Sequence, residues 1–189
     1  MLLLVGLGNP GSNYTNTRHN IGFKIIDAIN LHFKLSKQKP KFKGLLTTGN
    51  IESKKIYAIK PLTFMNNSGT AIKELIDYFK IDAKDVFVFH DDMDIDFGKI
   101  KAKFGGSSAG HNGIDSIDKF IGKDYSRVRV GIGHPKQKKK VNNHVLEDFK
   151  EDEEEKIKEI TDNIVKLIPT LIDKKIDLFS SKVNQNLNG

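Results

Sequence analysis

The chain has 189 residues, a formal net charge of +7 and no cysteine, which favours one compact domain large enough to bury its own core. The missing thiols exclude disulfides, thiolate zinc sites and cysteine nucleophiles together, and they suit a reducing cytoplasm. No apolar stretch reaches bilayer-spanning length, and the short apolar start at residues 1–5 lacks the basic region and cleavage site of a secretory signal, so no membrane association is expected. The positive balance favours anionic partners, nucleic acid above all. It is concentrated in two lysine clusters, residues 37–43 (KQKPKFK) and 136–140 (KQKKK), each as consistent with a solvated loop as with phosphate contact.

In chain order, residues 2–7 are an aliphatic run that reads as a buried strand ending in glycine. Residues 21–33 carry apolar side chains at helical spacing. Residues 45–51 and 55–60 form a hairpin around a turn at 52–54, and Pro61 ends its second strand. Asn67 or Ser68 caps a helix running to about Tyr78. Residues 86–89 are a short buried strand, and 99–104 alternate like a half-exposed one. A short helix over 112–121 precedes a strand over 127–132. The acidic run at 151–155 is a solvated face opening an amphipathic helix over about 152–167, where negative charge complements the helix dipole. Pro169 starts a further short helix, and residues 180–189 read as a frayed end. Strands alternating with helices argue for an α/β class with a mixed sheet between helical layers.

In such sheets the working groups gather beyond the carboxyl ends of the strands. Five segments place polar groups just after an expected strand. They are residues 6–20 (GLGNPGSNYTNTRHN), 61–69 (PLTFMNNSG), 90–96 (HDDMDID), 105–113 (GGSSAGHNG) and 131–135 (GIGHP). A histidine on such a loop is a natural general base near neutral pH.

These five blocks, in this order, resemble bacterial peptidyl-tRNA hydrolases. The resemblance rests on GLGNPG with Tyr14 and Thr17-Arg18-His19-Asn20, and on Lys60-Pro61 followed by Thr63-Phe64-Met65-Asn66 and Ser68-Gly69. It continues through His90-Asp91-Asp92 with Asp94, Gly-His-Asn-Gly at 110–113, and Arg129 before Gly131-Ile132-Gly133-His134-Pro135. It covers residues 4 to about 149. It implies a single-domain three-layer α/β/α sandwich around a mixed, mostly parallel twisted sheet, spanning residues 1–180 with 181–189 as a flexible tail. It further implies a cytoplasmic, monomeric enzyme, independent of metal and cofactor, that cleaves the ester between a peptide and the 3′-ribose of tRNA.

The resemblance assigns His19 as general base and Asp91 as its orienting carboxylate. It places Asn66 and Asn112 on the 3′ end and the peptide ester. It puts Asn9 where N-blocked peptidyl esters are separated from free aminoacyl esters, and Tyr14 and Phe64 at tRNA contacts, with Met65 on the same wall. Lys103 and Arg129 fall where phosphate-binding cations stand. The chemistry is sound on its own terms: an ester needs an activated water, a polarised carbonyl and a held substrate. His111 is open between supporting its loop and touching substrate, and His134 and Pro135 shape a turn. Two departures stand out. The loop before His111 reads Gly-Gly-Ser-Ser-Ala-Gly where the family is richer in glycine, and Asp96-Phe97-Gly98 lacks a frequent proline.

Three other readings compete. Residues 106–110 satisfy the G-x-S-x-G elbow pattern of serine hydrolases, which would make Ser108 a nucleophile with His134 or His144 as base. Asp91, Asp92, Asp94 and Asp96 have the composition of a magnesium site. A protein of this fold could also bind RNA and do no chemistry, although such a binder has no need of His19 beside Asp91.

Overall fold

The computed structural model describes residues 1–135 and 141–189; the second lysine cluster, 136–140, lies outside the described residues. Strand β1 (Leu2–Gly6) is buried on both faces, as a continuous aliphatic run requires. It pairs in parallel with β4 (Lys54–Pro61) on one side and β5 (Val86–Asp92) on the other. β5 pairs in parallel with β7 (Ser126–Gly131). Three strands complete the sheet antiparallel to their neighbours: β3 (Gly44–Ile51) on β4, β2 (Lys39–Lys41) on β3, and β6 (Ile100–Phe104) on β7. The order is β2-β3-β4-β1-β5-β7-β6, so the expected mixed sheet has four parallel strands at its centre.

One face is covered by α1 (Ile21–His32), α5 (Glu151–Lys166), α6 (Ile168–Ile172) and α7 (Ile176–Asn188), packed against Leu2, Leu4, Phe87, Phe89, Val128 and Val130. The other face carries α2 (Ser68–Phe79) and α3 (Asn112–Ile121) over Leu3, Val5, Val86 and Val88. A short helix, α4 (Val141–His144), lies near the carboxyl rim. Ile21, Ile25, Ile26 and Ile29 of α1 are all buried, each contributing roughly 1.5–3 kcal/mol of transfer free energy. α1 approaches β1 at two glycines: a β-carbon at Gly6 would overlap the Gly22 carbonyl, and one at Gly22 would overlap Leu7 and Phe89 backbone. That contact brings the start of α1, and with it His19, over the ends of β1 and β5.

Several expectations change. β5 runs through Asp92, because His90, Asp91 and Asp92 are buried in the sheet despite their polarity. Lys39–Lys41 forms the edge strand β2, and a lysine- and proline-bearing edge resists pairing with other chains. A turn over Met65–Asn67 precedes α2; Asn67 stands at its N-cap position as expected, but without a side-chain cap bond, and the Ser68 hydroxyl donates to the Met65 carbonyl. The acidic start of α5 is only partly solvated, since Glu153 pairs with Arg18 and Glu154 with Lys24. Residues 181–188 continue α7 rather than fraying. Ser180 and Asn184, one turn apart, bond the backbone of Ala102 and Ile100 on edge strand β6, while Phe179 and Val183 enter the core. A polar stretch that resembles a tail therefore satisfies a sheet edge.

Candidate active site

Strands β1, β4, β5 and β7 end on one rim. A cavity of about 430 Å³ opens there, lined from the loops after β1, β4 and β5, from the start of α3, and from the stretch around α4. Four of the five polar segments reach the rim directly from a parallel strand. The segment at 105–113 does not. β6 is antiparallel, and Phe104 stands beside Ser126 at the far end of β7. The loop climbs back along the sheet before it delivers His111 and Asn112.

His19 sits in a one-turn helix (Arg18–Asn20) ahead of α1 and is buried. Its backbone N–H donates to the Val145 carbonyl at 2.8 Å. Next to it, Arg18 is 3% exposed. The Arg18 guanidinium donates to the carbonyls of His144 (3.2 Å) and Glu147 (3.4 Å) and to Glu153 Oε2 (3.0 Å). These bonds fasten the cavity wall formed by Val141, Asn142, Val145 and Leu146 to the turn that bears His19. Arg18 appears in the sequence only as part of the Thr17–Asn20 motif, with no role assigned, and this wall carries no motif. The wall carries only scattered apolar residues, and the pairing partners are more than a hundred positions apart.

Nδ1 of His19 lies 2.8 Å from Asp91 Oδ1 and 3.0 Å from Oδ2. Nε2 of His111 reaches the same Oδ1 at 2.9 Å. Asp91 therefore accepts from two imidazoles. Burial pushes its carboxyl upward, but the positive charge that His19 and His111 can carry, together with their hydrogen bonds, outweighs burial and holds it well below the usual carboxylate range. The tautomers follow from the partners. His111 Nδ1 caps α3 by accepting from the N–H groups of Gly113 and Ile114 at 3.1 and 3.3 Å, so its proton is on Nε2. His19 donates from Nδ1, which leaves Nε2 as its basic nitrogen. Beneath them His90 is buried with its ring 4.8 Å from that of His111, and its Nδ1–H donates to the Asp91 carbonyl. Desolvation, helped by the neighbouring His111, lowers its pKa to about 3.

Asn9 ties two loops together. Its Oδ1 accepts from Met65 N–H at 2.8 Å, and its backbone exchanges hydrogen bonds with the Asn20 side chain at 2.8 and 2.9 Å. Because Oδ1 is committed, the Asn9 Nδ2 amide is left for the cavity, which Asn9 lines. Met65 belongs both to the core and to the cavity wall. Half-buried Tyr14 and exposed Phe64, Asn66 and Asn112 line the same space, so eight of the ten residues singled out come together. Lys103 and Arg129 stay outside. They lie on the α3-side face of β6 and β7, where Lys101 pairs with Arg129 and Lys103 with Arg127. Arg129 Nε donates to Asp92 Oδ2 at 2.8 Å, which links it to the cavity margin.

The rival arrangements do not assemble. Ser108 Oγ accepts from Gly110 N–H, as Ser107 Oγ does from Ala109, so both hydroxyls brace the loop's own backbone. His134 and His144 bond the carbonyls of Pro135 and Ile132. Three of the four aspartates are committed to other partners: Asp91 to the two histidines, Asp92 to Arg129 and the Asp94 N–H, and Asp96 to Lys99. The ligand atoms of His19, Asp91 and His111 lie within 4.8 Å of one another, a spacing that their hydrogen bonds account for.

A family model described as peptidyl-tRNA hydrolase matches residues 3–188. The chain belongs to the peptidyl-tRNA hydrolase family. The peptidyl-tRNA hydrolase of Pelagibacter ubique (strain HTCC1062) is 72% identical over 184 residues, 97% of this chain and 99% of the relative. That of Ehrlichia ruminantium (strain Welgevonden) is 46% identical over 181 residues, 96% and 93% of the two chains. The crystal structure of peptidyl-tRNA hydrolase from Acinetobacter baumannii matches the fold with a TM-score of 0.91 at 34% identity, covering 97% of this chain and 94% of that one. The reaction is thus the hydrolysis of peptidyl-tRNA, an ester hydrolysis, and the α/β class expected from the alternating elements is the family's. No helix among the described residues is long and apolar enough to cross a membrane.

Proposed function

We propose that the cavity at the carboxyl rim hydrolyses the peptidyl ester with His19 as general base. The single observation that carries this is the Asp91 carboxylate on His19 Nδ1, which leaves Nε2 facing a cavity that the amide side chains of Asn9, Asn66, Asn112 and Asn142 also line. Nε2 takes a proton from water as the water oxygen bonds to the ester carbonyl carbon. Asp91 holds the ring in the required tautomer and stabilises the imidazolium that forms. The carbonyl oxygen becomes an oxyanion, to which the Asn66 and Asn112 amides donate. The tetrahedral carbon then expels the 3′-ribose oxygen, which takes the proton back from His19. The peptide leaves as its carboxylic acid, which gives its proton to solvent, together with free tRNA.

Asn9 Nδ2 suits the carbonyl that precedes the last peptide nitrogen, a group that a free aminoacyl ester lacks. Tyr14 and Phe64 offer ring faces to the terminal base or the peptide. Lys103 and Arg129, outside the cavity, suit phosphates of the acceptor stem rather than the ester. On this reading the enzyme is a monomer acting in the cytoplasm, where peptidyl-tRNA arises in translation. With N-acetyl-aminoacyl-tRNA, His19→Ala is expected to lose about a thousandfold or more in turnover while tRNA binding survives. Unchanged turnover would remove His19 from the role of base.

A further inference from the structure

We infer that Arg127, far from the ester, is a positioning residue that sets where His111 and Asn112 stand. This rests on the reading of His19 and Asp91 given above. Arg127 lies on β7 and is 1% exposed. Its Nη1 donates to the Ser107 carbonyl at 2.8 Å, and its Nη2 to Asp118 Oδ1 at 2.9 Å. That oxygen also accepts from the Tyr125 hydroxyl at 2.7 Å, and the Tyr125 ring lies 4.7 Å from the guanidinium carbon.

Asp118 belongs to α3, whose first turn holds His111 by Nδ1. Ser107 belongs to the loop that climbs from β6 to α3. One planar fork therefore grips both the helix and the loop that meet at His111. The loop has no other long reach to spare. Its start is pinned by Gly105 N–H on the Tyr125 carbonyl, and its end by His111 N–H on the Ser108 carbonyl. Between these pins Ala109 holds a left-handed φ of 49°, a conformation that persists only where the surroundings impose it.

Stability alone does not explain the arrangement. A buried ion pair is weak evidence of stabilisation, and Arg127 Nε is buried without a partner. A lysine offers one point of attachment where arginine offers a fork to two acceptors. The fork fixes a distance between loop and helix, and that distance determines whether His111 Nε2 meets Asp91.

The test uses Arg127→Lys and, as a neutral pair that leaves no lone buried carboxylate, Arg127→Gln with Asp118→Asn. Each is checked for folding by circular dichroism and assayed on N-acetyl-aminoacyl-tRNA. Arg127→Lys is expected to lower kcat about tenfold or more with KM changed by less than about twofold, since misplacement of the site rather than loss of binding is at issue. Combined with His111→Ala, it is expected to lower kcat no further than His111→Ala alone. The neutral pair, which keeps a donor to Ser107, is expected to recover part of the loss. A folded Arg127 variant with wild-type kcat, or a double variant losing the product of the two single effects, would overturn the inference. If the lysine variant does not fold, the neutral pair with and without His111→Ala decides by the same criterion. His19→Ala run alongside separates the two readings: full turnover there removes the base, whatever Arg127 does.

Discussion

Nε2 of His111 stands 2.9 Å from Oδ1 of Asp91, the same oxygen that His19 Nδ1 reaches at 2.8 Å. The carboxylate thus serves two imidazoles with different freedoms. His111 gives its other nitrogen to the N–H groups at the start of α3. His19 has Nε2 open to the cavity. Of the two, His19 is the one proposed to carry the proton, and His111 is the one that ties Asp91 to α3. His111 thus supports the start of α3 while also lining the cavity.

Asp91→Asn tests the shared carboxylate. An amide with its oxygen in the shared Oδ1 position carries no charge and turns its NH2 group, in place of Oδ2, toward His19 Nδ1. His19 then loses its tautomeric guide and the stabilisation of its imidazolium. Turnover of peptidyl-tRNA is expected to fall by about two orders of magnitude or more, with KM and tRNA affinity close to wild type. A loss confined to KM would show that Asp91 holds substrate instead.

Much of this was legible before any coordinates. Apolar runs and helical spacing locate β1, α1, the β3–β4 hairpin, β7 and α5: β1 and β7 end in glycine, Pro61 closes the hairpin, and α1 and α5 carry apolar residues at helical spacing. The polar end of β5 was not legible, since His90, Asp91 and Asp92 break the apolar run that marks a buried strand. Nor was β2, whose Lys-Pro-Lys carries no strand pattern and is ordered by pairing with β3. Within the site, short motifs identify the residues on loops after parallel strands. They do not reveal what Arg18 and Arg127 hold, because each joins a carboxylate to backbone carbonyls distant in sequence, and a carbonyl leaves no mark in sequence.

Salt separates the two cations outside the cavity from the residues inside it. Lys103→Ala is expected to raise KM and to reduce the slope of log affinity against log salt by about one, as loss of one phosphate contact should. Arg129→Ala should do more, because it also strips the partner from Asp92 and leaves a carboxylate beside the anionic substrate. Adding Asp92→Asn to Arg129→Ala should recover part of that excess. Binding measured across a salt series checks both, and defects equal at every ionic strength would count against phosphate contact.

His90 gives the fold an acid-sensitive window. In the unfolded chain its imidazole takes up a proton near 6.5, whereas burial beside His111 delays protonation in the fold to about 3. Between those values the unfolded state holds the extra proton, so stability falls as pH drops through 6.5 toward 3, by on the order of 1 kcal/mol per pH unit from this group. Asp91 works in a lower window: its carboxyl is held below 3.8, so the stability it contributes is complete above that value and is lost only on further acidification. Urea midpoints measured from about pH 7 down to about pH 4.5 should therefore report mainly His90 among these two groups. His90→Asn keeps an N–H for the Asp91 carbonyl and removes the titrating ring. The midpoint of that variant is expected to fall less steeply with acid than that of the parent protein, and an identical slope would assign the acid sensitivity to other groups.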